Sequence, residues 1–175
     1  QVAAVKMDDT DPTSRAPAPL GHKAQGTVSY DTPALTALLS DSENAFGLEL
    51  QEPWASMVMS GVKKVETRSY DLHPKLRNRS IYVIASHAAT GGNPLCDRPK
   101  MGAGTVMGMV VFGEVKSYAT EEAWEADGAL HCVSAASPHA WRPGTPSYGW
   151  VISEVIPLPE PGPSPEMRRM HRSLF

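Results

Sequence analysis

Five prolines alternate over residues 157–165, at Pro157, Pro159, Pro161, Pro163 and Pro165. Proline lacks an amide hydrogen and fixes φ, so such a stretch cannot be helical or run as a central strand. The pattern predicts an extended polyproline-type spacer of about 3.1 Å per residue, or roughly 28 Å. These five belong to a total of sixteen prolines and fourteen glycines. Their positions divide the chain into three parts.

Residues 1–45 read as an acidic extension rich in Pro, Ala and Asp. Lys6, Arg15 and Lys23 stand against Asp8, Asp9, Asp11, Asp31, Asp41 and Glu43, a net of −3. Asp31-Thr32-Pro33 offers one helix start ahead of Leu35, Leu38 and Leu39. The composition otherwise argues against an independent core. Residues 46–156 read as the domain. Residues 157–175 read as the spacer followed by a basic tail, with Leu174 and Phe175 anchoring its end by burial.

Within the domain, Phe46–Gln51 alternates apolar and polar residues, the mark of a half-buried strand. Pro53 then opens a short helix with Trp54, Met57, Val58 and Gly61 on one face. Gly61 sits where that helix should stop. Further strands are expected over Lys63–Ser69, Ser80–Ala85, Thr105–Val115 and Tyr148–Pro157. Gly108 and Gly113 mark bulges or corners. A short helix over Thr120–Ala126 has Thr120 as its cap. Tyr70–Asn78 and residues 127–147 read as loops, and residues 88–104 as a long one. The fold class is therefore α+β, mainly β: a small, partly closed β-barrel with short flanking helices and extended tails.

Length and composition exclude several classes. The chain has 175 residues, 41% apolar and 20% charged, which fits one globular domain and rules out full disorder. The apolar run from Met101 to Phe112 is too short for a bilayer, which takes about 20 residues. Gln1 opens the chain without an apolar leader core, which predicts a processed chain or a fragment. Two cysteines, Cys96 and Cys132, do not make a disulfide scaffold, so an intracellular, reducing compartment is expected.

Charge is distributed unevenly. Residues 63–100 carry Lys63, Lys64, Arg68, Lys75, Arg77, Arg79, Arg98 and Lys100 against Glu66, Asp71 and Asp97, a net of +5. Residues 114–127 carry a net of −4. A basic sector on a neutral domain attracts phosphates locally; the plainer alternative is a solvated loop rich in Lys and Arg.

The most informative motif is Gly61-Val62-Lys63-Lys64-Val65-Glu66-Thr67-Arg68, preceded by Pro53-Trp54-Ala55-Ser56. Side chains of a strand repeat every two residues, so Lys64, Glu66 and Arg68 should share a face. Lys63 sits at the helix-to-strand corner and can turn toward a cleft. Two cations flanking a carboxylate suit a phosphate or a base edge. A surface ion-pair ladder of little energetic weight is the alternative.

This motif and its flanks resemble the ASCH domain, the activating signal cointegrator homology domain of the PUA-like superfamily. The family pattern G-x-K-x-x-E-x-R is matched at all four positions, and the resemblance spans about residues 46–175. It implies a β-barrel with a cleft beside the motif and a role in binding RNA, another nucleic acid or a nucleotide. Eukaryotic relatives include transcription coactivators. The expected ligand-binding set is Lys63, Glu66 and Arg68, with Tyr70, Tyr148 and Trp141 as stacking candidates. Some bacterial relatives are similar to amidohydrolases acting on N4-acetylcytidine and use the motif lysine, here Lys63. They carry threonine where this chain has Glu66, and a carboxylate beside the ammonium suits an anion anchor better than a nucleophile. A third reading is a structural subunit whose tails contact protein neighbours.

Other constellations are weaker. His87, Cys96, His131, Cys132 and His139 lack zinc-ligand spacing. No phosphate loop or nucleophile elbow occurs, so neither a metal nor a cofactor is expected. Trp54, on its helix's apolar face, is read as core.

Overall fold

The computed structural model describes residues 45–86, 104–167, 170 and 173–175. The expected extension 1–45 lies almost wholly outside the described residues, and so does the long loop after Ser86.

Five strands make one mixed sheet. They are β1 (Gly47–Gln51), β2 (Val65–Arg68), β3 (Ser80–Ser86), β4 (Thr105–Ser117) and β5 (Tyr148–Pro163). Their spatial order is β1-β3-β4-β5-β2. β1 runs parallel to β3, and the remaining pairs are antiparallel. The edge strands β1 and β2 do not pair with each other, so the sheet is not closed into the expected barrel. A side chain spans the gap instead: Arg68 Nη2, from β2, donates to the Glu49 carbonyl of β1 at 2.9 Å. The two edges therefore face each other across a seam.

Among the described residues three helices flank the sheet: α1 (Trp54–Met59), α2 (Glu121–Ala126) and α3 (Gly128–His131). α1 begins after Pro53, and the Glu52 carboxylate accepts from both the amide and the hydroxyl of Ser56. Its core-facing residues are Ala55 and Val58. Trp54 is only half-buried and meets His139 edge-on at 5.3 Å, so it is not the core residue expected. Gly61, at φ +71°, turns the chain out of α1 into β2. The Thr120 hydroxyl caps α2 by accepting from the Ala123 amide.

The main core gathers Leu48, Leu50, Val58, Leu72, Leu76, Ile81, Val83, Val110, Phe112 and Trp150. Leu72 and Leu76 explain why the polar stretch 70–78 is not a plain loop: both are buried, Leu76 within a 3-10 turn over Pro74–Leu76 and Leu72 ahead of it. β1 also departs from a half-buried strand, because Gly47–Leu50 are all buried.

Two expectations about the chain's last part meet different outcomes. The alternating prolines do not make a free spacer from residue 157. β5 continues to Pro163 and pairs with β4, placing Pro157 opposite Gly108 and Gly162 opposite Val106, while residues 158–161 bulge between. Leu174 and Phe175 are buried as expected. Gly47 and Phe175 exchange both backbone hydrogen bonds, and the Glu49 amide donates to the Ser173 carbonyl. Residues 173–175 thus lie along the outer edge of β1, with Leu48 opposite Leu174.

Candidate functional site

The short strand β2 pairs with the start of β5, so Glu66 stands opposite Trp150 and Arg68 opposite Tyr148. Directly opposed residues of an antiparallel pair point to the same face. Glu66, Arg68, Tyr148 and Trp150 therefore share one surface beside the seam. Glu66 and Arg68 are joined through Oε1 and Nε at 2.9 Å.

Lys63 precedes β2 and reaches the same carboxylate. Its Nζ is 3.4 Å from Glu66 Oε2 and donates to the His131 carbonyl. The residue is 1% exposed and Glu66 6%, so a surface ion-pair ladder does not describe this cluster. Lys64 does not join it, because the regular strand starts only at Val65 and Lys64 is exposed.

Arg68 distributes its donors across the seam. Nη1 donates to Ser173 Oγ at 2.8 Å, and Nη2 goes to the Glu49 carbonyl. Its guanidinium carbon lies 5.9 Å from the Trp150 ring centre, at the outer limit for a cation–π contact. Burial opposes the Arg68 charge, but Glu66, Tyr70 and Glu49 outweigh it and hold the guanidinium above its ordinary range.

Tyr70 belongs to this group. Its hydroxyl shares a hydrogen bond with Ser173 Oγ at 2.9 Å, its carbonyl accepts from the Trp150 indole, and its ring meets Trp150 edge-on. Tyr148 stands beside Arg68 but is half-buried against the core. Trp141 is not brought in. It packs with Tyr118, Trp124 and Val133 in a separate cluster, and its indole donates to the Tyr118 carbonyl.

Several residues of the site were not anticipated. Glu49, on β1, is 1% exposed and accepts from Ser86 Oγ at 2.7 Å. The alternation of β1 marks Glu49 as polar but places it on a wet face; only the cover over β1 brings it inside. Ser173 had no sequence signal, and His131 was weighed only as a metal ligand. Val133 N–H donates to His131 Nδ1, so the proton resides on Nε2, which donates to the Trp124 carbonyl. Burial and the Lys63 charge push the imidazole below its ordinary value, against the Trp124 carbonyl and Asp127.

The basic sector is less available than its composition implies. Lys63 and Arg68 are engaged with Glu66, and Arg77 is bonded to Asp71. Arg98 and Lys100 lie outside the described residues. No cluster of metal-ligating side chains occurs among the described residues; His87 and Cys96 lie outside them. No helix among the described residues is long and apolar enough to cross a membrane.

The family model of the ASCH domain matches residues 48–159. Among solved structures, the ASCH protein of Zymomonas mobilis superposes with a TM-score of 0.50 at 16% identity, covering 67% of this chain and 72% of that one. A serine-to-alanine mutant of the same protein gives 0.53 at 16% identity, over 75% and 86%. A tyrosine-to-phenylalanine mutant gives 0.53 at 16% identity, over 75% and 88%. No curated protein matches the chain. At such identity the structural likeness shows a shared fold alone.

Proposed function

The chain belongs to the ASCH domain family, and from that premise we propose that it binds RNA, or another nucleic acid or nucleotide, at the seam between β1 and β2. The sheet is read here as a barrel left open on the side where Lys63, Glu66 and Arg68 lie. One observation carries the reading: Lys63, Glu66 and Arg68 form a single buried ionic cluster beside the seam where β1 and β2 do not pair with each other. Desolvating three charges is costly, and well-packed apolar residues would hold the fold as well. Charged groups kept buried at such a cost are a functional-site signature. The three side chains sum to one positive charge, which suits a phosphate, while Tyr70 and Tyr148 flank them as aromatic surfaces for a base.

The amidohydrolase reading draws less support. Lys63 Nζ is engaged by Glu66 and by the His131 carbonyl rather than presented as a bare amine. A structural-subunit role through the tails draws less as well, because residues 173–175 are bonded to this chain's own β1.

The test is fluorescence anisotropy with a labelled single-stranded oligo(U) dodecamer. Binding weakened at least tenfold by Arg68→Lys or Lys63→Met, with the circular-dichroism spectrum unchanged, is the expected result. Equal binding by folded variants removes the seam from the site. The same protein should release no cytidine from N4-acetylcytidine. Turnover near about 1–10³ per second, lost in Lys63→Met, would replace this proposal with the hydrolase.

A further inference from the structure

Arg68 is the one motif side chain that reaches across the seam, and part of its reach ends on a segment distant in sequence. Ser173 Oγ accepts from Arg68 Nη1 at 2.8 Å and is also bonded to the Tyr70 hydroxyl. Ser173 itself is fully buried. The same three residues dock as an added strand: the Gly47 and Glu49 amides donate to the Phe175 and Ser173 carbonyls, and the Phe175 amide donates to Gly47. Leu174 enters the main core and Phe175 packs on Ile84 and Met167. The Met170 amide also donates to the Leu174 carbonyl.

Strand addition to an edge is a recurring mode of peptide recognition, in which main-chain bonds supply affinity and alternate side chains supply specificity. Here the pattern is a serine read by Arg68 and Tyr70, then a leucine and a phenylalanine read by apolar pockets. Among the described residues the strand bonds of residues 173–175 go to β1 alone, over three residues, with the Ser173 hydroxyl adding Arg68 and Tyr70, whereas β1 is paired over five residues with β3 on its other side. Short, peripheral pairings open at lower free energy than the sheet they join.

We propose that residues 173–175 are a detachable strap that closes the Arg68 end of the seam, and that a nucleic-acid ligand and the strap compete for Arg68. The competition rests on the binding reading above; the strap itself does not. With the strap on, Arg68 Nη1 is committed to a neutral hydroxyl. With it off, that donor and the β1 edge face the ligand, so occupancy of the seam and docking of residues 173–175 exclude each other.

Two measurements on the full chain test this. In wild-type protein, amide hydrogen exchange at Gly47 and Glu49, the donors to the strap, should be at least tenfold faster than at Tyr82, whose amide donates to Phe46 on the other side of β1. Equal rates would make the strap an integral strand and overturn the proposal. Binding of the labelled oligo(U) dodecamer should tighten at least fivefold in Ser173→Ala and in Phe175→Ser, the second variant serving if the first leaves the strap docked. Saturating RNA should further raise exchange at Gly47 and Glu49 in the wild type. RNA binding that is equal in all three proteins overturns the competition. Absence of binding in all three overturns the nucleic-acid reading alone, and the exchange rates still decide the strap.

Discussion

Glu66 is where the residue scale decides most. Its carboxylate holds an ammonium at 3.4 Å and a guanidinium at 2.9 Å, all largely removed from water. Removing one member of a buried ionic group leaves uncompensated charge and costs about 3–5 kcal/mol, whereas replacing the pair by apolar or neutral groups of similar size is far milder. Glu66→Gln is therefore expected to destabilise by about 3–5 kcal/mol in urea unfolding, and Lys63→Met in the Glu66→Gln background to recover a large part of it. No recovery would mean that the two side chains are not coupled. His131 gives the residue-scale pH dependence. It is held neutral in the fold, with a value below the 6.5 of a free imidazole. Below that point the unfolded chain binds the proton more readily, so the His131 contribution is complete above about pH 6.5 and is lost as pH falls through the folded value. Thermal unfolding at pH 7.5 and 5 should show a falling Tm, and His131→Gln should flatten that fall. A slope that survives the substitution assigns the effect to other groups.

At the scale of elements, β5 shows how a strand accommodates alternating prolines. Beyond Ile152, whose amide donates to the Lys64 carbonyl, β2 no longer covers its outer side among the described residues. Proline without an amide hydrogen is tolerated along such an edge, and it also blocks pairing with another chain. The other end of β5 is set by close packing. A Cβ on Gly149 would meet Tyr118 Oη at 2.6 Å and Val65 Cγ1 at 2.8 Å. Tyr118 cannot move freely, because its hydroxyl donates to Asp127 at 2.7 Å, where Lys116 also bonds. Gly149→Ala is expected to destabilise by about 1–3 kcal/mol through overpacking. Adding Tyr118→Phe should restore part of this in a double-mutant cycle. Strict additivity of the two changes would show that Tyr118 is not the obstacle.

For the whole molecule, the ordering of charge sets how ligand binding responds to salt. Lys63, Glu66 and Arg68 at the seam sum to one positive charge, so the number of phosphates engaged there is expected to be about one to three. With a log–log slope of about −0.7 per contact on single strands, RNA affinity should fall with a slope between about −0.7 and −2. A slope steeper than about −3 would assign binding to a broad basic surface instead of the seam. The acidic extension is expected to stand apart from the core. Removal of residues 1–40 should shift Tm by no more than a few degrees, the scale of about 1 kcal/mol or less for a domain of this size. Collapse of the transition would place part of that segment inside the core.

Local chemistry was readable where local chemistry decides. Gly61 ends α1 because only a residue without Cβ takes its φ easily, and Thr120 caps α2 because its hydroxyl reaches the first turn. The runs read as strands at Ser80–Ala85 and Thr105–Val115 are strands, extended by one residue to Ser86 and by two to Ser117. The Lys63-x-x-Glu66-x-Arg68 spacing likewise named the ionic cluster, since a corner followed by a period of two brings those groups together. What lies far apart in sequence was not legible. Alternation put Glu49 on a wet face and the prolines in a free spacer. Glu49 bonds Ser86 of β3 through its carboxylate and Ser173 through its amide, both far away in sequence, and the strand state of residues 157–163 depends on β4 being there to pair with. Trp141 was equally plausible as a stacking ring until its indole was seen bonded to Tyr118. Sequence periodicity reports a residue's intrinsic face and conformational preference; which neighbour covers that face is fixed only when non-local strands meet.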